Sequence, residues 1–172
     1  MADHHSDKVL VGTVGTFAKE HGYDDRLMAG LALIQSSPQW GPNSGSPDNI
    51  AKKALEVVNA PMYLNKRLRS SLGRAGKKAG QIFIELAPHM FHDSEVGDHW
   101  REGTFFHEVA HALAYYDTGL SHDHDEIWRW LFNCFGFNPE RQARYAHNGE
   151  AYSTFKQRAN AEMVAAELDL DL

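Results

Sequence analysis

Three residues within five positions, His107, Glu108 and His111, have the types and spacing of a metal site. On a helix, positions i and i+4 lie about 40° apart around the axis, so two imidazoles can reach one ion. Glu108 projects beside them, where a carboxylate can take a proton from an activated water and pass it to a leaving amine. Zinc suits the set because it takes nitrogen ligands readily and has no redox chemistry of its own. The chemistry these residues point to is peptide-bond hydrolysis, with one catalytic Zn2+ as cofactor and Glu108 as general base.

A catalytic zinc takes a third protein ligand and keeps one position open. Spacing leaves that ligand open among Asp117, His122, Asp123, His124, Asp125 and Glu126. A metzincin pattern needs Gly and then His or Asp three and six positions after His111, where this chain has Ala114 and Asp117. A thermolysin-like site would draw on a downstream carboxylate such as Glu126 or Glu150.

The motif needs a helix to hold it. Asp98 can cap one running from His99 to about Tyr116, with Phe105, Phe106, Val109, Ala110, Ala112 and Leu113 filling its other faces. A second helix from about Asp123 to Phe135 would return its first turn to the metal. Upstream, the pattern predicts a helix over Lys8 to Glu20 with Val11, Val14 and Ala18 on one stripe, and another from Asp24 to Gln35. A third begins at Ser46-Pro47-Asp48 and buries Ile50, Ala54, Leu55 and Val58. Tyr63 to Leu72 and Gln81 to Leu86 read as strands joined by a Gly73 to Gly80 turn, a hairpin whose second strand is the expected edge for an extended substrate. The expected fold is α+β and zincin-like, helices on a small sheet, as a single domain over 8–166 between a disordered tail at 1–7 and an acidic tail at 167–172.

The bulk properties agree with that scale. A chain of 172 residues, 42% apolar and 23% charged, can bury one ordinary core. No apolar run approaches the roughly 20 residues that span a bilayer, and the first residues are polar, so a cytoplasmic protein without membrane association is expected. The single cysteine, Cys134, rules out an internal disulfide and a cysteine-rich zinc ribbon within this sequence. The net charge of −6 argues against general coating of nucleic acid, yet eight basic residues against one acid, Glu56, lie between Lys52 and Lys78.

The run from Leu64 to Leu131 resembles the SprT/Spartan family of zinc metallopeptidases. The matching pieces are Arg67-Leu68-Arg69-Ser70-Ser71-Leu72-Gly73-Arg74-Ala75, Ile82-Phe83-Ile84-Glu85-Leu86, Phe106-His107-Glu108-Val109-Ala110-His111-Ala112-Leu113 and His124-Asp125-Glu126-Ile127-Trp128. The resemblance implies His107, His111 and His124 as ligands and Glu108 as general base. It departs from the family at Asp125, where Gly is usual, and in having no cysteine-rich ribbon.

A protein or peptide is thus the expected substrate of a monomer. Single-stranded or damaged DNA is a candidate partner, through Lys66, Arg67, Arg69, Arg74, Lys77 and Lys78, with Tyr63 available to stack on a base. The competing readings are a DNA-binding or regulatory module with a structural zinc and a narrow-specificity, regulator-cleaving gluzincin. Plainer readings cover the rest. His4, His5, His89, His92 and His147 read as surface histidines, Trp128 to Phe135 as a core-facing helix, and Tyr115, Tyr116 and Tyr145 as possible donors to a tetrahedral intermediate.

Overall fold

The chain enters the fold as a strand rather than a helix. The computed structural model describes residues 7–36, 47–68, 71–92, 95–118, 123–139, 157–158 and 161–162. In it Lys8–Thr13 is strand β1. The run Val9-Leu10-Val11 suits a pleated surface, and every one of these residues is exposed at the sheet edge, so a helical stripe there would have had nothing to cover. Thr13 closes the strand by capping helix α1, Val14–His21, in a reciprocal box with Thr16. Val14 and Ala18, the rest of the expected stripe, are buried. Asp7, expected in the tail, has its carboxylate 2.7 Å from Arg67 Nε, and its carbonyl accepts from the Lys66 amide.

Helix α2, Asp24–Ser36, follows the predicted span. Helix α3, Pro47–Lys53, tightens into a 3-10 turn over Ala54–Asn59. The tighter winding changes which residues face inward. Ile50, Ala54 and Val57 are buried, whereas Leu55 is exposed.

The sheet has four strands in the order β1-β2-β4-β3, with β2 at Pro61–Asn65, β3 at Gly73–Lys78 and β4 at Gln81–Leu86. β1 and β2 are antiparallel, β2 and β4 parallel, β4 and β3 antiparallel. This corrects the expected hairpin: Gly73 to Lys78 is a strand, and the turn is only Ala79-Gly80, both at positive φ. Its backbone pairs with β4 along its whole length, and the Phe83 ring lies over the bare Gly76 opposite it. β4 is therefore interior, and β3 is the edge.

Helix α4, Glu95–Thr118, crosses the inner face of the sheet and packs on β3, β4, α3 and α5. It begins one turn before the expected cap, leaving Asp98 inside it and 3.1 Å from Arg101. Arg101 also donates to the carbonyls of Met90 and His92. Helix α5, Glu126–Cys134, is capped by Asp125, whose carboxylate accepts from the Trp128 amide at 3.0 Å. The residue that departs from the family pattern is thus the one that starts α5.

The core gathers Phe17, Phe105, Phe106, Phe132 and Phe135 with Ile84, Leu86 and Met90. His89, expected on the surface, is fully buried in the 3-10 turn Pro88–Phe91, and burial pushes its pKa down to about 4. Of the C-terminal helical stretch, 157–158 and 161–162 are helical. Glu150, His147 and Tyr145 lie outside the described residues, as do His4, His5 and the acidic tail. Among the described residues, no helix is long and apolar enough to cross a membrane.

Candidate metal centre

Helix α4 holds His107 and His111 one turn apart, and the segment before α5 delivers His124 to them. The three Nε2 atoms form a near-equilateral triangle, 3.3 Å between His107 and His111 and 3.1 Å from His124 to each. Nitrogen ligands at about 2.0–2.1 Å on a tetrahedral ion lie about 3.3 Å apart, so the triangle fits zinc without rearrangement. The three could hold a metal ion, and no fourth protein ligand joins them among the described residues.

The local backbone explains how His124 arrives. It adopts φ of 51°, a left-handed conformation unusual for a residue with a side chain, and such strain persists where surrounding contacts over-determine it. Asp125 fixes the chain immediately after it by capping α5. Asp123 lies 3.3 Å from His124 Nδ1, the ring nitrogen opposite the Nε2 that meets the other two imidazoles.

Trp128 is the residue sequence reasoning undervalued. It was expected only as core, and it is buried, but its indole also touches all three imidazoles at centroid distances of 4.8, 5.3 and 4.5 Å. Its Nε1 donates to the His107 carbonyl at 3.2 Å, tying α5 to α4 at one of the three histidines. The signal was present in the sequence as the aromatic four positions after His124.

Electrostatics separate the roles. Burial, then the neighbouring His111 and His124, pushes the His107 pKa down to about 3, which keeps this imidazole neutral and able to ligate. Burial pushes the Glu108 carboxyl up to about 8. A dication held by the adjacent histidines acts in the opposite direction and favours the carboxylate.

Gly73, at the start of β3, was also missed. A Cβ there would sit 2.9 Å from Glu108 Cγ and 3.2 Å from its Oε2. The β3 edge therefore runs directly against the carboxylate, in the position expected of β4.

The other third-ligand candidates separate from the triangle. Asp117 lines a cavity at the end of α4, Glu126 is exposed in the first turn of α5, and His122 lies outside the described residues. Of the three tyrosines, Tyr115 is one turn beyond His111. Tyr116 is pushed up to about 12 by burial and by Glu56, and Tyr145 is not described.

The basic cluster divides between two faces of the sheet. Arg74 and Lys78 alternate with Lys77, so the first two lie on the outer face with Phe83 and Glu85, and Lys77 on the side of Ile82. Glu85 is buried, with Arg74 and Lys8 at 3.2 and 3.3 Å and the Asn65 amide donating to it at 2.7 Å. Arg67 pairs with Asp7, Lys66 is half-buried, and Arg69 lies outside the described residues.

A model of SprT-like proteins matches residues 48–165, which takes in the sheet strands β2 to β4, α4 and α5. The chain belongs to the SprT-like family. No curated protein and no solved structure matches it significantly. Membership in the SprT-like family suggests a zinc-metallopeptidase-like protein and agrees with the α+β architecture, helices packed on a small mixed sheet.

Proposed function

We propose that the chain is a zinc-dependent endopeptidase of SprT-like type, with His107, His111 and His124 as ligands and Glu108 as general base. The observation that carries the reading is the triangle of Nε2 atoms at 3.1–3.3 Å with a buried carboxylate next to it on the same helix. Zinc bound there supplies Lewis acidity, which makes water nucleophilic near neutral pH and polarises a carbonyl. The residues do the rest. Glu108 takes the proton of the attacking water and passes it to the leaving amine. β3, whose outer edge has no strand partner among the described residues, offers that edge to an extended peptide, and Gly73 lets that peptide approach Glu108 closely.

The absence of a fourth ligand among the described residues favours this reading over a structural zinc, whose sites are closed by four. The test measures bound zinc and casein cleavage for wild type and Glu108→Gln, each with and without single-stranded DNA. Zinc retained with cleavage lost is the expected result. Equal cleavage by both proteins removes Glu108 from the mechanism.

A second reading adds DNA as a partner, and the outer face of the sheet favours it. Tyr63 and Phe83 meet edge to face at 6.4 Å, with Lys8 and Arg74 over the Phe83 ring at 5.8 and 6.0 Å. Aromatic rings flanked by cations are what single strands stack on. Because Arg67 pairs with Asp7, and Arg74 and Lys8 both pair with Glu85, Lys78, exposed on the same face, is the cation best placed for phosphates.

A further inference from the structure

A cavity of about 610 Å³ lies where the end of α4 meets the β3–β4 turn and the 3-10 turn Ala54–Asn59, and no step proposed above uses it. We propose that it is a substrate subsite that accepts a basic side chain, arginine above all, from a residue three or four positions N-terminal to the scissile bond. The inference rests on the peptidase reading for its register and on the cavity itself for its chemistry.

The register follows from two elements that run side by side. Tyr115, which lines the cavity, is four residues past His111 and seven past Glu108, on the stripe of α4 that carries both. Lys77, which lines it from the sheet, is four residues along β3 from Gly73, the residue against Glu108. At about 1.5 Å per helical residue and 3.3 Å per strand residue, both routes put the cavity roughly 10–13 Å from the carboxylate. That is the span of three to four extended residues. β3 is already antiparallel to β4, and a peptide added antiparallel to its outer edge points its N-terminal half towards Lys77.

The lining decides the charge. Asp117 is only 9% exposed, whereas Lys53, Lys77 and Glu56 are exposed at the rim. Water and salt screen the rim charges, so the buried carboxylate dominates the potential inside. A carboxylate has about four acceptor sites, so contacts within the fold leave room for a guanidinium. An independent feature acts in the same sense. The cavity wall includes the last turn of the 24-residue α4, which carries the negative pole of the helix dipole and contains no basic residue of its own. The phenols of Tyr115 and Tyr116 complete a polar wall around the stem of the incoming side chain.

The test uses zinc-loaded Glu108→Gln, which binds without cutting, and fluorescein-labelled ten-residue peptides that differ only in arginine, citrulline, norleucine or glutamate at one position. Anisotropy should show the arginine peptide binding about tenfold tighter than its neutral isostere citrulline, the increment expected of a partly buried charged hydrogen bond. Asp117→Asn should remove that preference. The exposed Glu56→Gln, which leaves the core untouched, should reduce it. Equal affinity for the arginine and citrulline peptides overturns the proposal, as does a preference unchanged in both variants. Mapping casein cleavage by wild type separates the two readings. Arginine-selective, Asp117-dependent binding without any cleavage sinks the peptidase and leaves the subsite standing. Cleavage with no enrichment of basic residues three or four positions upstream sinks the subsite and leaves the peptidase.

Discussion

Replacing Gly73 by Ala tests whether the edge strand sets the position of the general base. The backbone of Gly73 is not at positive φ, so alanine meets no conformational penalty there and the effect is one of space. The new methyl would lie 2.9 Å from Glu108 Cγ and 2.9 Å from Leu86 Cδ2. Carbon atoms in contact prefer about 3.5–4.0 Å, so the glutamate side chain or the strand must move by about 0.6–1 Å. Leu86 is wholly buried and backs onto the core, which leaves the Glu108 side chain as the softer neighbour. Misplacement of a catalytic group by about 1 Å can cost about a hundredfold, equivalent to about 2.7 kcal/mol of barrier. The expected result for Gly73→Ala is a fall of that size in kcat at nearly unchanged KM, with one zinc still bound because the three atoms nearest the new methyl belong to Glu108 and Leu86, not to the histidines. The control is Gly76→Ala on the same strand, where the methyl would press on the Phe83 ring at 2.5 Å and never meet Glu108. Both variants should lose stability through overpacking, by about 1–3 kcal/mol, and only Gly73→Ala should lose turnover. Wild-type kcat in Gly73→Ala, or an equal loss in Gly76→Ala, refutes the argument.

Trp128→Phe keeps an aromatic ring beside the histidines but removes the donor to the His107 carbonyl, so zinc affinity measured by chelator competition should fall by about 10–100-fold while helix content by circular dichroism stays constant. His124→Ala should lose zinc more severely than Trp128→Phe under the same competition, and an unchanged affinity would remove His124 from the ligand set. His89 gives a pH signature. Its folded pKa is depressed to about 4 from 6.5, so its neutral form favours the fold above pH 6.5, and that contribution is lost as pH falls from about 6.5 to 4, by about 3 kcal/mol in all. Urea unfolding of metal-stripped wild type and His89→Phe at pH 7 and pH 4.5 should show the wild type losing more stability on acidification, and parallel losses would show that His89 is not the group responsible.

The candidate metal site was legible before the fold because two of its histidines and the glutamate are local. His107, Glu108 and His111 lie within five positions, and the helix that presents them needs only its own period and an apolar surround. His124 was legible by resemblance alone. Composition and spacing left five other residues equal to it, and what separates them is a backbone at φ 51° followed by the Asp125 cap. Periodicity failed where pairing overrode it. Lys8–Thr13 carries a plausible helical stripe, but the β2 edge was available to it, and five of its six residues pair there around a bulge at Val11. Gly73-Arg74-Ala75-Gly76-Lys77-Lys78 has almost no strand propensity of its own, and it is a strand because β4 and the Phe83 ring make it one.

Sequence by itself thus determined the candidate metal-binding residue types, the helix that carries two of them and the family, since each depends on neighbours along the chain. Tertiary structure alone decided which strand is the edge, that Gly73 abuts Glu108, that Trp128 touches all three imidazoles and that His89 is buried. It also separated Lys77 from Arg74 and Lys78 on opposite faces of the sheet. Each of these is a contact between residues far apart in sequence, or an alternation fixed by a partner strand. Neither leaves a mark in local periodicity or composition.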